Sequence, residues 1–160
     1  MDTTRLQDAY RALLDAAATV EEAGGGTAPP GEWNADQILA HVSLVTATTV
    51  TTASAIAAGA NATYDNRIAG DTWTIDRLIE LTGSSAALRE RVAVQGEALC
   101  ALGGPALSES ELDTTVPARL LSGGAVMLDQ PVRLRDLITG MAESEIPGHT
   151  DQLLALLSTT

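Results

Sequence analysis

Leu134-Arg135-Asp136-Leu137-Ile138-Thr139-Gly140-Met141-Ala142-Glu143-Ser144-Glu145-Ile146-Pro147-Gly148-His149-Thr150-Asp151-Gln152-Leu153-Leu154 is the stretch whose reading decides the fold. Placed on a helix, it carries an apolar stripe through Leu134, Leu137, Ile138, Met141, Leu153 and Leu156. Glu145 and His149 interrupt the middle of that stripe at i, i+4 spacing, so both side chains leave one helix face about a turn apart. An inward carboxylate beside an inward imidazole needs a partner, because burying an unpaired charge is costly. A cation is the least costly partner, and a metal ion is the strongest candidate. Pro147 removes one helical hydrogen bond and crowds the carbonyl of Glu143, which predicts a kink.

Working outward, this last helix is expected from Val132 to Leu157. A first helix is predicted over Thr3 to Ala23, with Leu6, Tyr10, Leu13, Ala17 and Val20 inward and Gly24-Gly25-Gly26 as its stop. Glu32-Trp33-Asn34 opens a second helix, with Asn34 as N-cap and Asp36 in the positive first turn. Its stripe is Ile38, Val42, Val45, Thr49, Ala53 and Ile56, and His41 stands at the edge of it. After a loop over 59–71, Thr74 is read as the cap of a third helix that passes through Gly83 and Gly96 and ends at Gly103-Gly104-Pro105. Residues 106–131 form a long connection with short extended pieces at Thr114-Thr115-Val116 and Ala125-Val126-Met127-Leu128. The expectation is an all-α four-helix bundle, one domain over 1–160, with one long crossover connection between helices 3 and 4.

Composition agrees. The apolar share of 45% is built from small aliphatic residues, with no Phe, two Trp and two Tyr, which favours close helix packing over a sheet. Nine basic residues against twenty-one acidic ones leave a net charge of -12, which repels phosphate backbones and anionic lipid. Nucleic acid and membrane are therefore not expected as partners. A lone Cys100 permits no internal disulfide and fits a reducing compartment, where it acts as a small apolar filler. No signal core precedes the first helix, and no apolar run reads as long enough to span a bilayer, so a cytoplasmic location is expected.

The chain has two histidines, both on or beside inward stripes of different helices, and Glu145 adds a third inward donor. Zinc takes imidazole nitrogen and carboxylate oxygen, and three protein ligands with an open fourth position is its catalytic arrangement. Nickel or iron accepts the same set. Two alternatives stand beside this one. The histidines could be satisfied by core hydrogen bonds with Glu145 paired to an arginine, or Cys100 could close the site as a fourth ligand. A serine hydrolase is not supported, since no nucleophile-elbow pattern surrounds any Ser. The glycine run at 24–26 follows a helix rather than a strand and cradles no phosphate.

Gly31-Glu32-Trp33-Asn34-Ala35-Asp36-Gln37-Ile38-Leu39-Ala40-His41 resembles the opening of the second helix in DinB-like four-helix-bundle proteins, and Glu145-x-x-x-His149-x-x-Gln152-Leu153 resembles their last helix. Glu rather than His at 145 is similar to the N-terminal domain of mycothiol-dependent maleylpyruvate isomerase. The resemblance implies a divalent metal held by His41, Glu145 and His149, frequent homodimers, and a transferase or isomerase that works with a low-molecular-weight thiol and an electrophile. The thiol would be of mycothiol or bacillithiol type. Catalytic residues beyond the ligands are unassigned. Asp65, Asn66 and Arg67 are the candidates for holding the thiol's polar body. With the chain ending at Thr160, the isomerase's second domain is not expected, nor is action on maleylpyruvate itself. The competing expectation is a non-catalytic, homodimeric bundle with a lost or vestigial metal site.

Overall fold

The computed structural model describes residues 1–158. Its long helices are α1 (Thr4–Glu22), α2 (Ala35–Ala57), α3 (Thr72–Thr82) and α4 (Ser85–Ala101), then α6 (Leu134–Gly140) and α7 (Ile146–Ala155) joined by the π-helical turn Met141–Glu145. The short strand β1 (Tyr64–Asp65), the one-turn helix α5 (Glu109–Leu112), and strands β2 (Thr115–Ser122) and β3 (Ala125–Arg133) complete the main elements. The chain is mostly helical, as expected, and carries in addition a small three-stranded sheet that an all-α fold would lack.

The helices pack in pairs, α2 along α4 and α1 along α7, with further contact between α1 and α4 and between α2 and α7. Leu6, Leu13, Ile38, Leu99, Ile138 and Leu153 are fully buried at their centre. Asn34 caps α2 as expected: its side chain accepts from the Gln37 N–H while the Gln37 side chain accepts from the Asn34 N–H. This reciprocal arrangement satisfies two otherwise orphaned donors. At 23 residues α2 does reach the length and apolarity of a bilayer-crossing helix, contrary to expectation, but most of that apolar window is buried within the fold.

Gly83 divides the predicted third helix. It takes a left-handed conformation with φ of +82°, closing α3, and the Ser84 side chain then caps α4. The cap of α3 is Asp71, whose carboxylate accepts from the Thr74 N–H, so Thr74 is the capped residue rather than the cap.

The connection after α4 folds into a hairpin. Gly123 and Gly124, both at positive φ, form its two-residue turn, which matches the twist of the flanking strands. β2 pairs antiparallel with β3 and parallel with β1, through Tyr64 opposite Ala118 and Asp65 opposite Arg119. Val116, Ala118 and Leu120 point inward while Thr115, Pro117 and Arg119 face water, the alternation of a half-buried strand. β3 runs directly into α6, so the last helix begins at Leu134 rather than Val132.

Pro147 produces a widened turn in place of a dihedral break. Gly140, Glu145 and Ile146 keep right-handed helical angles, while the Ile146 N–H reaches back five residues to the Met141 carbonyl. The buried row therefore steps from Met141 to Ile146 instead of from Met141 to Glu145. One extra residue per turn moves Glu145 and His149 off the core stripe and onto the wall of a cleft.

Candidate metal centre

His41 lies in the second turn of α2, fixed by the capping box below it, and Glu145 and His149 flank the start of α7. The three residues meet across the α2–α7 contact. One donor atom from each lies within 4.8 Å of the other two. His41 Nε2 is 3.1 Å from Glu145 Oε1, and His149 Nε2 is 3.5 Å from the same oxygen. Their side chains are 10%, 29% and 17% exposed for His41, Glu145 and His149, so the triad is lodged in a wall and reached from one side.

The remaining ring nitrogens decide what this arrangement can do. His41 Nδ1 lies 2.8 Å from the carbonyl oxygen of Ala69, an atom that can only accept, so Nδ1 carries the hydrogen. His149 Nδ1 lies 2.9 Å from Gln152 Oε1, again an acceptor. Both imidazoles are thus oriented with Nε2 toward Glu145. Neutral rings in these tautomers present two lone pairs to a carboxylate that has only lone pairs of its own. The space between them requires a cation, either a proton or a metal ion. Hydrogen-bonded Nδ1 with Nε2 directed inward is the outer-shell pattern that orients histidine ligands.

In the metal-free protein, where protons take the cation's place on the two Nε2 atoms, hydrogen bonds from His149 and then His41 hold the Glu145 carboxyl down to about 2, despite a burial that acts in the opposite direction. It is therefore a carboxylate across the neutral range and available to a cation without first losing a proton. No arginine pairs with Glu145 among the described residues; Arg5 instead pairs with Glu143, two residues earlier and exposed. Cys100 is buried, its thiol pushed up by desolvation, and it does not belong to the cluster, so it closes no fourth position. The Trp33 ring stands 4.8 Å from the His41 ring, centroid to centroid, and the two histidine rings are 4.6 Å apart.

A cleft of about 720 Å³ opens onto the triad, bounded by Trp33, Arg67, the Gly123–Gly124 turn and Gln152. Of the predicted binding residues, Asn66 and Arg67 line it and Asp65 does not. Asn66 is buried with its amide committed to the hairpin, its Nδ2 donating to the Leu121 carbonyl and its Oδ1 accepting from the Leu121 N–H. Asp65 engages the Arg67 guanidinium at 2.6 Å outside the cleft, which holds that carboxyl below its usual range. Arg67 remains well exposed, a cation at the mouth.

Sequence reasoning did not identify three participants. Trp33 was placed only as an opening of α2, and Gln152 only as part of a motif. The Ala69 carbonyl has no side-chain signature at all, because the 3-10 turn Arg67–Gly70 delivers it. No family model, no curated protein and no solved structure matches this chain.

Proposed function

We propose that the chain is a metal-dependent enzyme of DinB-like type, a transferase or isomerase that acts with a low-molecular-weight thiol of the mycothiol or bacillithiol class. One observation carries this reading: two imidazoles locked by Nδ1 hydrogen bonds aim Nε2 at one carboxylate. Three ligands with an accessible fourth side fit zinc, and nickel or iron also accept the set. The paired packing of α1, α2, α4 and the α6–α7 arm supports a four-helix bundle with the hairpin inserted in its crossover. A homodimer and a cytoplasmic location accompany the same reading.

A divalent cation held at the triad supplies a Lewis acid that favours the thiolate of a bound thiol at neutral pH. The protein's own contributions are positional. Glu145 provides fixed negative charge, while Ala69 and Gln152 prevent either imidazole from turning its N–H toward the site. Trp33 covers one side of His41 and limits water there. The cleft lies within the range of sites for small molecules, and Arg67 offers a cation to a carboxylate on the thiol's polar body.

The non-catalytic reading has its own support, since Glu145 bridges the two histidines and no buried side-chain polar atom among the described residues lacks a partner. Elemental analysis of untagged protein separates the two. Stoichiometric metal that is lost in His149→Ala supports the enzyme, and absence of metal after reconstitution supports the scaffold. Metal-loaded protein with no thiol-conjugating turnover across a panel of thiols and electrophiles overturns the proposed activity.

A further inference from the structure

A second compartment, of about 200 Å³, lies behind the triad between the inner face of the hairpin and the α6–π-turn arm. Its walls are Val45, Tyr64, Leu120, Leu128, Leu137 and Met141. Asn66 and Glu145 line both this compartment and the open cleft, so the two spaces adjoin at Glu145, the triad member common to both.

The side-chain donors on its walls are engaged, and the acceptors that remain are the Asp136 and Glu145 carboxylates and the Ser144 oxygen. The Ser144 hydroxyl donates to the Gly140 carbonyl at 2.9 Å, and the Asn66 amide is committed to Leu121. Asp136 is held by Arg133 at 3.0 Å, and the Tyr64 hydroxyl is engaged by Thr49. An anionic or acceptor-only guest would lose its water and find no free donor, which costs free energy. An apolar guest gains by burial, and an engineered apolar cavity of about 150 Å³ is known to hold one benzene ring.

We infer that this compartment is a specificity subsite for a short, uncharged aliphatic or single-ring group on the molecule whose polar end meets His41, Glu145 and His149. The polar end of this inference rests on the metal reading above, and the apolar end rests on the compartment alone. The open cleft and the compartment then divide the work, the first taking a polar body beside Arg67 and the second taking an apolar arm.

The test uses straight-chain alkyl hydroxamates, from aceto- to octanohydroxamate, titrated against zinc-loaded full-length protein. n-Hexanol titrated against metal-free protein, followed by chemical-shift perturbation, forms a separate arm. Each added methylene is expected to tighten hydroxamate binding by about threefold to fourfold until the compartment is full. Leu128→Trp, on the half-buried face of the hairpin, is expected to abolish that gain while acetohydroxamate binds as before. Leu120→Ala is expected to move the plateau to longer chains. A series that binds with no dependence on chain length overturns the subsite and leaves the metal reading intact. If no hydroxamate binds, the metal reading fails and hexanol decides the compartment. Shifts at Leu137 and Met141 that Leu128→Trp abolishes support it, and their absence overturns it.

Discussion

Gln152 is the one side chain that fixes the tautomer of a proposed ligand, because the corresponding acceptor for His41 is a backbone carbonyl. Its Oε1 accepts from His149 Nδ1 at 2.9 Å, one helical turn along α7, and the residue is half-buried beside the cleft. Gln152→Leu keeps the bulk and removes the acceptor. The imidazole is then free to rotate or to place its hydrogen on Nε2, both of which oppose coordination. Outer-shell losses of this kind cost about 10- to 100-fold in metal affinity. Metal-free stability should fall by no more than about 1 kcal/mol, the net worth of one neutral hydrogen bond. Gln152→Glu, which supplies a stronger acceptor, should bind metal at least as tightly as the parent. Competition with a chromophoric chelator at neutral pH measures the affinities, and urea unfolding of metal-free samples measures the stabilities. Parent-like zinc affinity in Gln152→Leu, with its fold intact, would falsify the claim that this bond orients a ligand.

Three further outcomes are expected. In metal-free protein Glu145 sits at about 2, below the ordinary glutamate value of about 4.3. Its folded value is the lower one, so its stabilisation is complete above about pH 5 and is lost as pH falls toward 2. Glu145→Gln should flatten that acid limb in urea unfolding curves collected across this range. Gly148 is exposed on α7, has ordinary helical φ, and would meet nothing within 4 Å through an added Cβ. Gly148→Ala should therefore raise stability by up to about 1 kcal/mol and leave metal affinity unchanged. At Gly96 an added Cβ would fall 2.8 Å from Cγ of Tyr10, whose hydroxyl is tied to Thr46 at 2.7 Å and whose ring cannot easily yield. Gly96→Ala should cost about 1–3 kcal/mol of overpacking, detected as a lower urea midpoint with an unchanged slope.

Helix positions were legible because their periodicity is local: Leu6, Tyr10, Leu13, Ala17 and Val20 mark one face of α1, and that face is buried. The hairpin was less so. Ser122-Gly123-Gly124-Ala125 is a two-residue turn signal with alternating flanks, yet Pro117 and Pro131 argue against strands on both sides of it. In the fold these prolines stand opposite one another, and Pro131 lies on the edge strand, where a missing N–H facing outward breaks no ladder bond. β1 has only two residues and no pattern of its own, and it exists because the strand β2 beside it offers free backbone groups.

His41, Glu145 and His149 come together although a uniform helix does not account for where Glu145 lies. A uniform α-helix from Leu134 onward places Glu145 four residues after Met141, hence deep in the core, where a carboxylate and an imidazole would be cut off from any substrate. The π-turn adds a residue, hands the core position to Ile146, and leaves Glu145 29% exposed at the cleft. Pro147 supplies the reason, since it has no N–H for the Glu143 carbonyl and its ring would collide with that carbonyl in a regular turn. The same residue that predicts a kink within the i, i+4 pair is thus the cause of its accessibility. The Glu145–His149 spacing survives because Glu145 closes the widened turn and His149 follows it within the regular helix α7. Replacing Pro147 with Ala permits the regular turn to return and Glu145 to compete with Ile146 for the core. Loss of metal affinity in that variant, with metal-free stability equal to or above the parent's, is the outcome this geometry requires.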